Sequence, residues 1–446
     1  MSTAPLSNNP QWAWTPFAPG PNDPWDQAKV AHLHRRAGFA PPWSVIERDR
    51  NDGPDASIAR LLNGEALNPR GLTASEFEAQ AEEIDRLGAS GTLVQLQAAW
   101  LSRMILTPHT LRERMTLFWH DHFATSNAKV KNVALMARQN ALLRCHALGD
   151  FKAMLTALSH DPALLIWLDA TSNHKAHPNE NYAREVMELF TLGRGRYTEP
   201  DVQEAARALT GGFVREGRFV EVAAQHDDDP KTILGQTGRF GGDDLTRILL
   251  EQPACAEFLS GKLFAHLVSD VDAPTPELLA PLAIAFRESG YDVRVPLEMI
   301  LRSNLFFSPA ARRRKIKGPV EFAVGTVRAL EVMRPTVSAE ALAESCRRMG
   351  QSLYAPPSVA GWDDGPAWIN TATSLARTNV ILGLTADSKR FDAKALAGRF
   401  PEVNVSEFYV ELLVQDAFED SVRRKVAGSA REVATLVLTS PEYQLA

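Results

Sequence analysis

Apolar side chains recur every three to four residues along most of this chain of 446 residues. That spacing puts them on one face of an α-helix, so it predicts amphipathic helices rather than strands. The predicted helices are 27–37, 74–107 with a break near 88–91, 110–125, 129–148, 151–158, 181–192, 201–209, 253–268, 276–288, 319–332, 339–349, 374–384 and 422–439. The fold class that follows is all-α: a large multi-helix bundle.

One short segment departs from the helical pattern. Residues 213–215 and 218–222 are rich in aromatic and β-branched side chains, and they flank the turn dipeptide Glu216-Gly217. Two such runs around a two-residue turn favour a β-hairpin. We therefore expect one small hairpin in an otherwise helical protein, followed by a polar, glycine-rich loop.

The length of the chain exceeds what one small hydrophobic core holds. We predict an extended N-terminal tail over residues 1–25 and a helical domain carrying the functional site over 26–212. The hairpin and its polar loop take up 213–245, and a second helical part over 246–446 packs on the first.

The charge balance narrows the possible partners. A net charge of -6 argues against a nucleic-acid-binding protein, which needs a basic surface. The densest basic run, residues 312–317, is expected to be a solvated helix end or loop rather than an anion-binding patch.

No stretch approaches the roughly 20 apolar residues of a membrane span, and the N-terminus lacks a signal-peptide pattern. We expect a cytoplasmic protein, unless a partner carries it out.

Residues 178–193 combine an apolar stripe with a high density of carboxylate, amide and guanidinium groups. On a helix, Asn181, Glu185 and Glu188 share a face that lies beside the packing stripe. Carboxylates in that position need a hydrogen-bond donor, a cation or a metal, because an isolated buried charge is costly. Glu185 and Glu188 are therefore candidate metal ligands or an acid–base pair.

A purely structural role for these acids stays open. Arg184 lies four residues before Glu188 and can pair with it on a helix. Glu185 can instead meet a buried arginine such as Arg114 or Arg36. In this interpretation the charges form a network that only stabilises the fold.

Two histidines follow each other closely in the segment Trp119-His120-Asp121-His122-Phe123. On a continuous helix His120 and His122 point about 200° apart, so they converge on one ion only if the helix ends here. Zinc, iron and manganese accept imidazole together with carboxylate ligands. The alternative is that one histidine is hydrogen-bonded in the core and the other caps the helix or faces solvent.

A third polar group follows the predicted hairpin. His226 and Asp227 are candidate metal ligands, or His226 is a general base, and Lys231 is a candidate counter-charge for an anionic substrate. A solvated acidic turn explains the same residues.

The Pro- and Gly-rich loop 355–370 carries Trp362 and Trp368. These rings form either an aromatic platform for a sugar or other flat ligand, or a staple that holds the loop on the fold.

Several of these segments occur together in one known family. The segments are 34–39, 118–126, 179–193, 350–370 and 440–444. Together they resemble a bacterial family catalogued as domain of unknown function 1800, and the resemblance covers nearly the whole chain. It implies a helical protein. It also implies relatives that are frequently exported and often encoded beside a sulfatase-like protein with a twin-arginine signal.

The first functional hypothesis is a metal-dependent enzyme of unknown substrate. Its predicted divalent-metal ligands (zinc, iron or manganese) are His120, His122, Glu185, Glu188, His226 and Asp227. Arg184 and Lys231 are predicted to assist the two glutamates in catalysis. The alternative is a non-catalytic helical partner or escort of the sulfatase-like neighbour.

Overall fold

The computed structural model describes residues 9–64, 74–332, 338–388, 390–424 and 426–446. Within these ranges the protein is mainly helical with two small antiparallel sheets, so the predicted all-α class is confirmed. The first eight residues of the predicted N-terminal tail lie outside the described residues. The described part of that tail is not fully extended, because Pro10–Trp14 forms a helix whose N-cap, Asn9, accepts a hydrogen bond from the Trp12 amide.

The helices are numbered in chain order. The first thirteen are α1 (Pro10–Trp14), α2 (Gln27–Ala37), α3 (Trp43–Asp52), α4 (Pro54–Asn63), α5 (Ala74–Ala89), α6 (Leu93–Leu106), α7 (Thr110–His122), α8 (Asn127–Val130), α9 (Val133–His146), α10 (Phe151–Ser159), α11 (Pro162–Trp167), α12 (Glu180–Glu185) and α13 (Glu199–Ala208). The others are α14 (Gly242–Glu251), α15 (Pro253–Leu267), α16 (Pro276–Glu288), α17 (Arg294–Arg302), α18 (Asn304–Phe307), α19 (Pro319–Ala329), α20 (Ala339–Arg348), α21 (Thr371–Thr385), α22 (Ala393–Gly398), α23 (Val405–Leu413), α24 (Asp420–Arg423) and α25 (Ala430–Thr439). Helix α12 continues directly into a π-helical turn, Val186–Thr191.

Local sequence signals set several helix boundaries. The predicted break near residues 88–91 separates α5 from α6, where Thr92 and Gln95 form a capping box. Asp161 caps α11 and Pro162 occupies its first position, where a missing amide hydrogen costs nothing. Thr198 caps α13 in the same way as Thr92 caps α6.

The predicted hairpin is present as β1 (Gly212–Arg215) paired with β2 (Arg218–Glu221). Its turn residues Glu216 and Gly217 both have positive φ, as a tight two-residue turn requires.

A second hairpin, which the sequence did not predict, lies inside the expected polar loop. It joins β3 (Lys231–Ile233) to β4 (Gln236–Gly238) through a turn whose residues, Leu234 and Gly235, also have positive φ. The strands have only three residues each, too few for alternation to be legible in the sequence.

The apolar side chains form two cores. The first contains buried side chains from α10, the α12 segment and α14–α17, and the second is built largely from α6, α19–α23 and α25. Helix α7 lies between them, with Trp119 in the first core and Leu117 in the second. Its C-terminal end therefore lies where the two cores meet. The domain boundaries predicted from the sequence stay a prediction.

No helix in the described ranges combines the length and the apolar character that crossing a bilayer requires.

Helix α19 packs so closely against the backbone at Phe39 that one position of the helix has no room for a side chain. A Cβ atom on Gly325 would lie 2.2 Å from the carbonyl oxygen of Phe39. We expect Gly325→Ala to lower the free energy of unfolding by about 1–3 kcal/mol, because backbone has to move to relieve the overlap. Denaturant unfolding measures this change.

The matched control is Gly383→Ala in α21, where an added Cβ meets nothing within 4 Å. That substitution is expected to stabilise the protein by about 0.5–1 kcal/mol, the usual helix-interior gain. Equal effects at the two positions would contradict the close approach of α19 to Phe39.

Candidate functional site

The histidines of α7 do not converge. The helix continues through His122, so the two imidazoles point in different directions, as residues two apart on a helix must. His120 Nε2 accepts a hydrogen bond from the Tyr354 amide at 3.0 Å, and its ring packs on Trp100. Burial lowers the pKa of His120 to about 3. His120 is thus a neutral histidine satisfied within the core.

His122 has a different environment. Its Nε2 lies 3.1 Å from the carbonyl oxygen of Phe190. A carbonyl only accepts, so Nε2 carries the proton and Nδ1 keeps its lone pair. Nδ1 is buried and has no hydrogen-bond partner among the described residues. Burial, reinforced by the charge of Lys262, lowers the pKa of His122 to about 3, which keeps this lone pair available.

The predicted glutamates are engaged elsewhere. Glu188 accepts hydrogen bonds from the Tyr197 hydroxyl and from Arg194 Nε, the latter at 2.7 Å, and these bonds lower its pKa. Arg184 pairs with both carboxylate oxygens of Glu199 at 2.7 Å, not with Glu188. The predicted pairing assumed regular α-helical spacing, whereas the chain from Val186 onward is π-helical and shifts the side-chain register.

Glu185 does not meet the arginines suggested for it. It is half-buried, and burial followed by the neighbouring charge of Glu188 raises its pKa. Arg114 forms an ion pair with Glu321, and Arg36 donates to the carbonyl oxygens of Val268 and Ala311.

The polar residues predicted as one group after the hairpin, His226, Asp227 and Lys231, also have separate roles. Asp227 pairs with Arg207, whose hydrogen bond lowers the aspartate's pKa. Lys231 is almost fully buried and donates to the backbone carbonyls of Asp227 and Asp229, so it holds the loop together. His226 lines a cavity on the hairpin side of the protein, away from the residues around His122.

In the described ranges, no group of three or more His, Cys, Asp or Glu side chains is arranged to hold a metal ion. The six predicted ligands do not come together, because α7, the α12 segment and the post-hairpin loop present them to the different surroundings described above.

The residues around His122 nevertheless form a site, which we name the α7 cavity. It has a volume of about 160 Å³ and is lined by Phe118, Asp121, His122, Leu189, Lys262, Ala265, His266, Val359, Ala360 and Asp364. These residues come from α7, the π-helical turn, α15 and the loop that precedes Trp368.

Asp121 is the most perturbed acid of this cavity. Its Oδ1 accepts a hydrogen bond from the Trp362 amide at 2.8 Å. Burial, with a contribution from the charge of Asp364, raises the pKa of Asp121 to about 7, against the lowering effects of the Trp362 amide and Lys262. A carboxyl group with that pKa exchanges protons near neutral pH.

The loop that contacts Asp121 approaches it closely because residue 361 is a glycine. Gly361 has φ +85°, and a Cβ there would lie 2.2 Å from Asp121 Oδ1 and 2.8 Å from the Asp121 carbonyl oxygen. Trp362 and Trp368 are both buried, which supports the staple interpretation rather than an exposed aromatic platform.

Beside the cavity, and sharing His266 with it, lies a group of titratable side chains, which we name the charge cluster: Arg36, His266, Asp270 and Lys315. Lys315 Nζ is 3.6 Å from Asp270 Oδ2 and 3.9 Å from Asp364 Oδ2. Lys315 Nζ, His266 Nε2 and both Asp270 oxygens are buried without a hydrogen-bond partner among the described residues. Buried polar atoms are rarely left unpaired, so this arrangement is costly to stability.

Sequence analysis missed this cluster. The basic run 312–317 was expected in solvent, but the side chains of Lys315 and Lys317 are buried. Burial lowers the pKa of Lys317 well below its usual value and that of Arg36 to about 10. Asp121 was visible between the two histidines, yet its environment depends on residues more than 200 positions away.

Comparison with known protein families supports the family resemblance that the sequence motifs indicated. A family model described as a protein of unknown function (DUF1800) matches residues 32–445. No curated protein and no solved structure matches the chain.

The raised pKa of Asp121 makes stability depend on pH. The folded protein holds this proton up to about pH 7, whereas the unfolded chain releases it near pH 4. The contribution to stability is therefore complete below about pH 4 and is lost as pH rises towards 7. Asp121→Asn removes the effect, so the variant should gain up to about 4 kcal/mol relative to wild type between pH 4 and pH 8. Urea unfolding at both pH values measures this difference, and a constant difference would contradict the raised pKa.

Gly361→Ala tests the contact between the loop and Asp121. The added methyl group overlaps Asp121 and also imposes an unfavourable φ, so we expect a loss of at least about 2 kcal/mol in unfolding free energy. Gly195→Ala is the control, because Gly195 has φ +75° and nothing within 4 Å of an added Cβ. If both variants lose the same stability, the close approach to Asp121 is not a constraint.

Proposed function

The chain belongs to the DUF1800 family of proteins of unknown function, and from that premise we propose that it is an enzyme that performs acid–base chemistry on a small anionic substrate in the α7 cavity. The observation that carries the proposal is Asp121, an acid with a pKa of about 7 that lines an enclosed cavity beside a neutral imidazole. The family description states no activity, so the proposal depends on the site alone.

The acid–base role follows from the protonation states. A general acid or base is most effective when its pKa lies near the working pH. At neutral pH Asp121 is present in both forms and can give or take a proton. His122, neutral and fixed by the bond from its Nε2 to the Phe190 carbonyl oxygen, forms the wall of the cavity beside Asp121. The two groups differ in pKa by about four units, which separates their roles.

The substrate class follows from size and charge. A cavity of about 160 Å³ holds a molecule of only a few heavy atoms, since a water molecule takes up about 30 Å³. Lys262 lines the cavity, and Lys315 lies behind Asp364. These ammonium groups favour a carboxylate or phosphate on the substrate.

A pH profile tests the assignment. A panel of small carboxylate and phosphate esters is assayed with wild type, Asp121→Asn and the control Glu344→Gln, whose carboxylate is exposed on α20. For a substrate that turns over, we expect kcat/KM to change with an apparent pKa near 7. Asp121→Asn should lower kcat by about 100-fold or more, while the control keeps its activity. Full activity of Asp121→Asn would contradict the proposal.

Binding gives a test that needs no turnover. Acetate bound in the cavity places negative charge near Asp121 and should raise its pKa further, as measured by carboxyl NMR titration. Lys262→Met should weaken acetate binding. An Asp121 pKa that does not respond to saturating acetate would also contradict the proposal.

A second function, the escort of a sulfatase-like neighbour, is supported by a separate surface feature. An open, mainly apolar groove of about 600 Å³ lies between the end of the π-helical turn, α15 and α16. It includes Ile284, whose side chain is 55% exposed, and Phe258. Apolar grooves of this kind are typical of protein-binding surfaces. Ile284→Glu should abolish binding of the purified neighbour in calorimetry, whereas Asp121→Asn should not affect it.

Three expectations from the sequence stay predictions: a divalent metal at the six predicted ligands, a bacterial origin and a cytoplasmic location with export only through a partner. Elemental analysis of the purified protein and fractionation of the source cell test the first and the last.

A further inference from the structure

A second cavity, on the hairpin side of the protein, is unrelated to the α7 cavity. This hairpin cavity has a volume of about 450 Å³ and lies between the end of α10, the start of α12, the end of α13 and the first hairpin. Its size falls within the range of small-molecule sites in proteins. His226, Tyr182, Phe219, Glu221 and Asp228 line it.

His226 presents a fixed lone pair in this cavity. Its Nδ1 is 2.8 Å from the carbonyl oxygen of Thr210, which can only accept, so Nδ1 carries the proton. Nε2 is then an acceptor, and it makes no hydrogen bond within the described part of the chain. Gly211 approaches this histidine closely, since a Cβ atom on the glycine would lie 3.1 Å from His226 Cβ and 3.3 Å from its backbone nitrogen. The imidazole is therefore held in place.

Tyr182 supplies the complementary donor. Its side chain is 4% exposed, yet its hydroxyl forms no hydrogen bond with any described residue. Burial raises the pKa of this phenol, so the hydroxyl keeps its proton at all physiological pH values. Tyr182 lines the cavity, so this hydroxyl can donate to an acceptor on a bound ligand.

The negative charge of the residues that line the hairpin cavity favours a cationic ligand. Glu221 and Asp228 are exposed at the cavity, and neither forms an ion pair among the described residues. Over the same part of the chain, no lysine or arginine lines this cavity. The hairpin cavity is therefore acidic, whereas the α7 cavity carries lysine. Phe219, with His160 packed at a ring-centroid distance of 4.4 Å, adds an aromatic wall.

We propose that the hairpin cavity is a second binding site, which takes a small organic amine with an apolar or aromatic body. The ammonium lies towards Glu221 and Asp228, where it is attracted by two unpaired carboxylates. The body packs on Phe219, and polar groups of the ligand satisfy Tyr182 and His226. This site is independent of the proposed chemistry at Asp121.

Three probes of nearly equal shape and different charge test the proposal: 2-phenylethylamine, 2-phenylethanol and phenylacetate. Their dissociation constants for the full-length protein are measured by ligand-observed NMR. We expect the amine to bind at least about tenfold more tightly than phenylacetate, with the alcohol between them.

Two variants locate the binding. In the double variant Glu221→Gln/Asp228→Asn, amine affinity should fall about fivefold or more and approach that of the alcohol. Both side chains are exposed, so folding should be unaffected. Tyr182→Phe, which removes only the hydroxyl, should weaken the alcohol, whose oxygen accepts from Tyr182, more than the amine, whose ammonium has no acceptor, and Glu344→Gln serves as the control.

The proposal is overturned if phenylacetate binds as well as the amine, if the double variant changes nothing, or if no probe binds at millimolar concentration. The pKa of Asp121 is unaffected in each case, which separates this result from any failure of the proposed enzyme activity.

Discussion

The contact between Asp121 and the Gly361-Trp362 peptide determines the character of the α7 cavity. The Trp362 amide donates to Asp121 at 2.8 Å, and the loop comes this close only because residue 361 lacks a Cβ atom. The contact closes the cavity over the end of α7 and removes water from one side of the carboxyl group. One hydrogen bond does not offset the loss of hydration, so the pKa of Asp121 rises to about 7.

The charge cluster joins side chains from separate segments. Arg36 lies on α2 and His266 on α15, while Asp270 and Lys315 lie in the loops after α15 and α18. Lys315 and Asp270 are too far apart, at 3.6 Å, for a hydrogen bond, and both keep polar atoms without a partner among the described residues. An apolar pair in these positions would be more stable than an unsatisfied ionic one. The charge cluster therefore lowers the stability of the fold relative to such a pair.

The polar residues that the sequence analysis singled out are distributed over two cavities. Asp121 and His122 belong to an enclosed cavity with lysine in its wall, and His226 belongs to a larger, acidic one. The segment 186–191 contributes to the first through Leu189 and the Phe190 carbonyl group rather than through Glu188. Among the described residues these side chains do not form a single centre. Each cavity has its own ligand chemistry.

The sequence by itself determined the helical class, several helix boundaries and the first hairpin, but it did not predict helices such as α3, α4, α14 and α17. Periodicity, capping residues such as Thr92 and Asp161, and the Glu216-Gly217 turn act over a few residues, so they are legible without coordinates. It also pointed to residues 119–123. What only the tertiary structure decided is which polar side chains meet: Asp121 with Trp362, Lys315 with Asp270, and His122 with Phe190. Burial and pKa depend on contacts between distant segments, and a π-helical turn shifts side chains off the α-helical register that the sequence pattern assumes. For that reason the helices were predictable and the partners of the charged groups were not.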